Sequence, residues 1–290
     1  MKAQHSSAVS RVTALIAGYA LSLSCASIAY PSFAAQSTES VSSSSSCDAS
    51  YVTAKNLQAH QHSALLPSYT QVAASLSADA WMKVALECPS RYAEGIMYSA
   101  LAVLSSGLDE SGVLAQAAQN QATAQTALSE ESTLSINVLS SRSYQALAQA
   151  EDRLRFSYEV IATRDSSVEN AGSYALSASQ ASDIFAVHAQ KQSTSYKDSR
   201  ERIYNACQLV QYSGQDGATG LSMPLTASLE LDTALTQLRS LDEDSASHSS
   251  ASLASQASAS LQNAIALRVR SHLLRAFALG APQLSELYLD

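Results

Sequence analysis

The chain has 290 residues and a formal net charge of −8, and only 14% of its residues are charged. Ser and Ala dominate with 54 and 51 copies, whereas Gly and Pro number only 9 and 5. Ala loses no side-chain entropy in a helix and few residues break the chain, so the composition favours helices over a β-sandwich or barrel. The acidic balance and the lack of a basic stripe argue against nucleic-acid binding.

The first 34 residues are typical of a secretory signal peptide. Lys2 and Arg11 give a weakly basic start, residues 12–29 are uncharged, and Ser32 and Ala34 are small residues at positions −3 and −1. We therefore expect cleavage near Ala34, a secreted or cell-envelope location, and no membrane insertion after cleavage. The alternative is an uncleaved anchor, because an uncharged run of about 18 residues nearly spans a bilayer.

Three cysteines follow the predicted cleavage site, namely Cys47, Cys88 and Cys207. Export makes a disulfide plausible, and three single pairings are possible. We favour Cys47–Cys88 because both residues precede the predicted domain boundary, and we expect Cys207 to be a buried, small hydrophobic residue. A lipid anchor on Cys25 is a further alternative, although Ser22 stands where a lipid-attachment motif has Leu.

The N-terminal part of the mature chain is predicted to be a short tether followed by a helical region. Residues 35–46 are Ser-rich and indicate a flexible spacer. Residues 47–135 form the predicted helical N-terminal region. Within it, residues 111–128 are almost wholly Ala, Gln and Thr, so we expect an exposed helix or a partly ordered connector with little to bury. The domain boundary is expected near residues 130–140.

Residues 141–290 carry four strong helical patterns, which predict an antiparallel four-helix bundle. Pro224 marks the start of the third helix, and Gly280 marks the end of the fourth. The second helix would be long enough to need a bend. The predicted helices cover residues 143–164, 174–212, 225–241 and 251–279.

Polar residues interrupt the apolar seams of these predicted helices. Glu151, for example, lies between Leu147 and Leu154 at helical spacing. A buried carboxylate must be paired or neutralised, so we expect Glu151 to pair with His188 or Arg268. The cluster is either a structural ion pair, a metal or acid–base site, or a seam that drifts to the surface. The candidate cluster comprises Glu151, His188, Arg268 and His272.

No established catalytic motif supports an enzymatic interpretation. The sequence contains no GxSxG, P-loop, GxGxxG or HExxH. We therefore expect no catalytic residue, no cofactor and no metal ion. The arginines Arg268, Arg270 and Arg275 lie near the end of the last predicted helix, where cations suit the helix dipole.

The C-terminal half resembles a ferritin-like domain family of unknown function found in actinobacterial secreted proteins and lipoproteins. The resemblance rests on Ala150-Glu151-Asp152, Phe156 and Tyr158-Glu159 in the first helix. His188 in a second helix, Met223-Pro224 before a third, and an Ala- and Arg-rich last helix fit the same order. The resemblance covers residues 141–290 and implies a ferritin-like four-helix bundle, but it implies no activity.

Metal-binding ferritin-like proteins carry Glu-x-x-His motifs. In this sequence, the residue three positions before each of three histidines is not Glu. The pairs are Phe185 and His188, Ser245 and His248, and Val269 and His272. The sequence therefore argues against a di-iron centre.

These observations predict an exported helical bundle that is a non-enzymatic binding or structural module for an unknown envelope or extracellular partner. The expected mark of such a module is an exposed apolar patch near Trp81 and Met82. One alternative is a metal-binding or oxidoreductase ferritin-like protein. Another is a small-molecule binder or hydrolase with a pocket between the two predicted regions.

Overall fold

The computed structural model describes residues 46–63, 67–131, 138–165, 168, 170–201, 204–247 and 256–283. Over these ranges the regular structure is helical, apart from one isolated β-bridge between Gln215 and Ser222. The predicted all-α class is confirmed. The predicted signal peptide and nearly all of the Ser-rich tether lie outside the described residues. None of the described helices is long and apolar enough to cross a membrane.

Nine α-helices are described along the chain. A short 3-10 turn, Pro89–Arg91, joins the second helix to the third. The first four helices are α1 Ser46–Ser63, α2 Pro67–Glu87, α3 Tyr92–Leu104 and α4 Glu110–Glu131. The remaining helices are α5 Ser141–Arg164, α6 Ala171–Gln192, the four-residue α7 Cys207–Val210, α8 Leu225–Ser247 and α9 Gln256–Ala278.

The helix ends follow from local chemistry. The Ser140 hydroxyl accepts a hydrogen bond from the Ser143 amide at 3.1 Å, and this contact caps the start of α5. Pro224 directly precedes α8. Gly280 follows α9 with φ +105°, a conformation that side chains disfavour and that commonly ends helices.

The second predicted bundle helix is much shorter than the sequence pattern suggested. Instead of continuing to residue 212, α6 ends at Gln192, and residues 193–201 are not helical. The run from Ser193 to Ser195 contains hydroxyl side chains, which compete with helical backbone hydrogen bonds. Arg200 then contacts Asp183 of α6 at 2.6 Å, so the chain returns along the helix it has just left.

The Ala-rich segment 111–128 is a packed helix, and its description as an exposed or partly ordered connector is wrong. One face of α4 is buried against α9. Small side chains on this face let the two helices approach closely, which hydropathy alone does not reveal. The buried residues are Val113, Ala117, Asn120, Ala124 and Leu128.

One hydrophobic cluster joins helices from both sides of the predicted domain boundary. It contains Met97 of α3 and Leu128 of α4 together with Leu147 of α5 and Leu261 of α9. The described residues belong to one compact unit. Whether residues 141–290 fold alone stays a prediction. The packing places α9 at the centre, in contact with α2, α3, α4 and α8.

Candidate functional site

Charged side chains from three helices meet inside the bundle. Helix α5 contributes one carboxylate, α8 contributes another, and α9 contributes two guanidinium groups and an imidazole. On α9 the spacing of four and then three residues places all three groups on one face. The side chains are at most 3% exposed, so water is excluded. They belong to Glu151, Glu230, Arg268, His272 and Arg275.

Glu151 is bound by four donors. Arg268 forms a two-point contact, with its Nε at 2.8 Å from Oε1 and its Nη2 at 2.7 Å from Oε2. Gln237 Nε2 and His272 Nε2 each lie 2.9 Å from Oε1. Bidentate Arg–carboxylate pairs are among the strongest hydrogen-bonded contacts in proteins, so this contact fixes α5 against α9.

Glu230 occupies the equivalent place on the other side of His272. Its Oε2 lies 2.6 Å from His272 Nδ1. Its Oε1 accepts from Arg275 Nη1 at 2.8 Å and from the Tyr158 hydroxyl at 2.6 Å. His272 therefore bridges two carboxylates that come from different helices.

Two neutral side chains complete a closed circuit. Arg275 donates to Gln121 of α4, Gln121 donates to Ser177 of α6, and Ser177 accepts from Arg268 Nη1 at 2.8 Å. We call this circuit the polar ring. It connects α4, α5, α6, α8 and α9. Its members are Glu151, Arg268, Ser177, Gln121, Arg275, Glu230 and His272.

The ring geometry favours a positively charged imidazole. Both nitrogens of His272 face carboxylate oxygens, whereas a neutral imidazole has only one N–H to donate. Burial alone would lower the pKa of His272, but Glu151 and Glu230 outweigh it, and the pKa is raised. Burial alone would raise the pKa of each carboxyl group. The arginines and His272 outweigh that effect, and both carboxyl pKa values are lowered.

The structure brings together three of the four residues in the predicted cluster and leaves His188 outside. His188 stacks on the Tyr144 ring, with 5.0 Å between ring centroids. Its Nε2 is buried with no hydrogen-bond partner. Burial and nearby Lys191 lower the pKa of His188 to about 4, so this imidazole is neutral at pH 7.

Sequence reasoning missed Glu230 and Arg275. The predicted cluster did not include Glu230, and Arg275 was explained by the helix dipole, but both side chains are buried in the ring. A second seam on α8 could have revealed Glu230, because buried residues recur at steps of three and four. That seam is Ala227, Glu230, Ala234, Gln237 and Leu241.

Arg270 is a second arginine whose burial the dipole explanation did not anticipate. Its Nη1 donates to Ser99 at 2.9 Å, and its Nη2 donates to Asn120 at 3.0 Å. Arg270 Nε and Asn120 Nδ2 have no hydrogen-bond partner. Burial lowers the pKa of Arg270. Among the described residues, no carboxylate lies within ion-pair distance of this cation.

The structure places Cys47 and Cys88 at disulfide distance, as the sequence predicts. Their Cα atoms are 5.0 Å apart, and the bond joins the start of α1 to the end of α2. Cys207 is free and exposed, so the expectation that it is buried is wrong.

The expected apolar patch near Trp81 and Met82 is also not where the sequence placed it. These side chains are 0% and 7% exposed, and Trp81 stacks on Tyr98 with 4.7 Å between ring centroids. Exposed apolar residues on α2 lie closer to its start. They are Tyr69, Val72 and Leu76.

The chemical capacity of the polar ring is limited by its own contacts. Each of the four carboxylate oxygens already accepts a hydrogen bond from a protein group. Over the described ranges, no three His, Cys, Asp or Glu side chains are placed to hold a metal ion. Comparison of the chain with protein-family models, curated proteins and solved structures found no match.

Proposed function

We propose that this protein is an exported, ferritin-like helical bundle that serves as a non-enzymatic structural or binding module for an envelope or extracellular partner. The observation that carries the proposal is the saturation of the polar ring. Its carboxylates are 0% exposed, and their oxygens are occupied by Arg, His, Gln and Tyr donors. A substrate would have to displace these contacts before it could reach either carboxylate.

The arrangement of the ring supports a ferritin-like origin. In di-metal ferritin-like proteins, two helices each contribute a Glu, and the other two each contribute a Glu-x-x-His. Here α5 and α8 each contribute one Glu, but the residue three before His272 is Val269. Arg268 and Arg275 supply the positive charge that metal ions supply in those proteins. The ring therefore supports the interpretation that guanidinium groups, in place of metal ions, stabilise this bundle.

Elemental analysis of the mature protein tests this proposal. After incubation with Fe(II) or Mn(II) and dialysis, the wild type should hold far less than one metal ion per chain. Glu151→Ala and the matched surface variant Glu159→Ala should not differ from it. Stoichiometric iron or manganese in the wild type, lost in Glu151→Ala but kept in Glu159→Ala, would instead favour the metal-binding or oxidoreductase alternative.

Export is tested separately. The pairing of Cys47 with Cys88 suits an oxidising compartment. Intact-mass analysis of protein from its native culture should give a chain that starts at Ala35 and has lost two hydrogens to the disulfide. A full-length product with three or more free thiols would contradict export.

A further inference from the structure

A cavity of about 390 Å³ lies between α5, α8 and a segment that includes Tyr204 and Leu209. It is separate from the polar ring and shares no member with it. Its volume falls within the range of small-molecule sites. Exposed Arg153 and Glu201 line it together with half-buried Asp232, so the cavity has a deeper acidic side and a solvent-facing rim.

Two opposite charges in this cavity make no hydrogen bond or ion pair with the described residues. Among the described residues, Asp232 has no hydrogen bond or ion pair, and Arg153 only faces the Tyr204 ring, at 5.7 Å. By contrast Arg155, also on α5, pairs with Asp152 and with another carboxylate. Burial and a neighbouring carboxylate raise the pKa of Asp232, and two nearby arginines oppose this effect. A partly buried carboxylate without a hydrogen-bonded partner is stabilised further when a cationic group binds it.

Apolar side chains form part of the remaining wall, beside neutral polar residues such as Gln149 and Asn205. Phe156, Leu209 and Leu229 line the cavity and are half-buried. Cavity walls of this kind contact the hydrocarbon part of a ligand, while a few polar groups fix its orientation. The cavity thus offers two carboxylates, one guanidinium group and an apolar surface to a single occupant.

We propose that this cavity binds a small zwitterion of the amino-acid class. The ligand ammonium group pairs with Asp232, the ligand carboxylate pairs with Arg153, and an apolar side chain packs against Phe156 and Leu229. Glu201 at the rim makes the cavity net negative, which favours a ligand that carries an ammonium group. The proposal does not depend on export or on the role of the polar ring.

Isothermal titration calorimetry with analogues of leucine tests each charge on the wild-type protein. The probes are L-leucine, leucinamide, which lacks the carboxylate, and 4-methylpentanoate, which lacks the ammonium group. We expect leucine to bind, and we expect each analogue to bind about tenfold more weakly or worse, because each loses a charge-assisted contact.

Variants then assign each contact to a residue. Asp232→Asn and Arg153→Gln should each weaken leucine binding about tenfold, and Arg153→Gln should leave leucinamide binding unchanged. Matched controls make the same charge changes on the same helices outside the cavity. These controls are Asp242→Asn on α8 and Arg164→Gln on α5, and both should bind leucine like the wild type.

Three results would overturn the proposal. One is the absence of leucine binding at about 10 mM, a concentration that would reveal even weak affinity. Another is equal binding of leucine and 4-methylpentanoate. The third is leucine binding that neither Asp232→Asn nor Arg153→Gln weakens. If a variant does not fold, as judged by its thermal unfolding, the analogue series on the wild type decides alone.

Discussion

Replacing Glu151 with Ala is expected to destabilise the fold by about 3–5 kcal/mol, because the change leaves buried cations without their counter-charge. Arg268 would lose two of its three hydrogen bonds and keep only the contact with Ser177. His272 would lose one of its two carboxylate partners. Both side chains are at most 1% exposed, so water cannot replace the missing acceptor.

The magnitude is measurable by urea unfolding followed by circular dichroism. With a denaturant dependence of about 2–3 kcal/mol per M, a loss of that size moves the midpoint down by about 1–2.5 M. The matched control is Glu159→Ala on the same helix, where the Glu159 side chain is 51% exposed and pairs with Arg155. An exposed pair contributes about 0.5 kcal/mol or less, so the control midpoint should hardly move.

A second comparison separates the energy of the charge pair from the general loss of packing that any core substitution causes. The double variant Glu151→Leu with Arg268→Met removes both partners, so its cost should be less than the sum of the two single changes. Unfolding free energies of Glu151→Ala and Glu159→Ala that differ by less than about 1 kcal/mol would contradict a buried ion pair. So would a double variant whose cost equals the sum of the two single changes.

Other predictions concern protonation, a buried cation and the disulfide. The pKa of His272 is higher in the folded state than in the unfolded state. Its positive charge therefore stabilises the fold fully below the unfolded pKa of about 6.5, and this stabilisation is lost as the pH rises through the folded pKa. The difference in unfolding free energy between wild type and His272→Gln should therefore shrink as the pH rises above about 6.5, and a constant difference would contradict this. Asn120→Asp gives Arg270 a carboxylate and removes an unpartnered donor, so calorimetry should show a Tm higher by about 2–4 °C rather than lower. Reduction of the disulfide at Cys88 should lower the free energy of unfolding by about 4 kcal/mol, because the loop-entropy model assigns that much to a loop of this length. Urea unfolding with and without dithiothreitol measures the difference, and equal stabilities would refute this prediction.

Sequence patterns predicted elements best where one apolar seam decides burial. The first bundle helix was expected over residues 143–164 and is observed over Ser141–Arg164. The end of α6 was missed because hydropathy does not register how a run of hydroxyl side chains at residues 193–195 competes for backbone hydrogen bonds. The packing of α4 was not predicted because its Ala side chains are small, and their burial depends on the close approach of α9.

The candidate site was predictable in part for the same reason. Glu151, Arg268 and His272 each continue an apolar seam, and periodicity is enough to place them inside. Glu230 was missed because α8 packs against both α5 and α9 and therefore buries two seams instead of one. His188 is buried as its seam indicates, but periodicity says only that a side chain is buried and not which partners it meets.

The polar ring also has a consequence for the order of folding. Its contacts join residues far apart in sequence, with separations of 117 between Glu151 and Arg268 and 154 between Gln121 and Arg275. Because five helices must be docked before the ring closes, we expect its contacts to form after the main folding barrier has been crossed. Breaking the ring should therefore leave the refolding rate nearly unchanged and accelerate unfolding. On this expectation, the ring contacts govern the unfolding rate and therefore the lifetime of the folded protein.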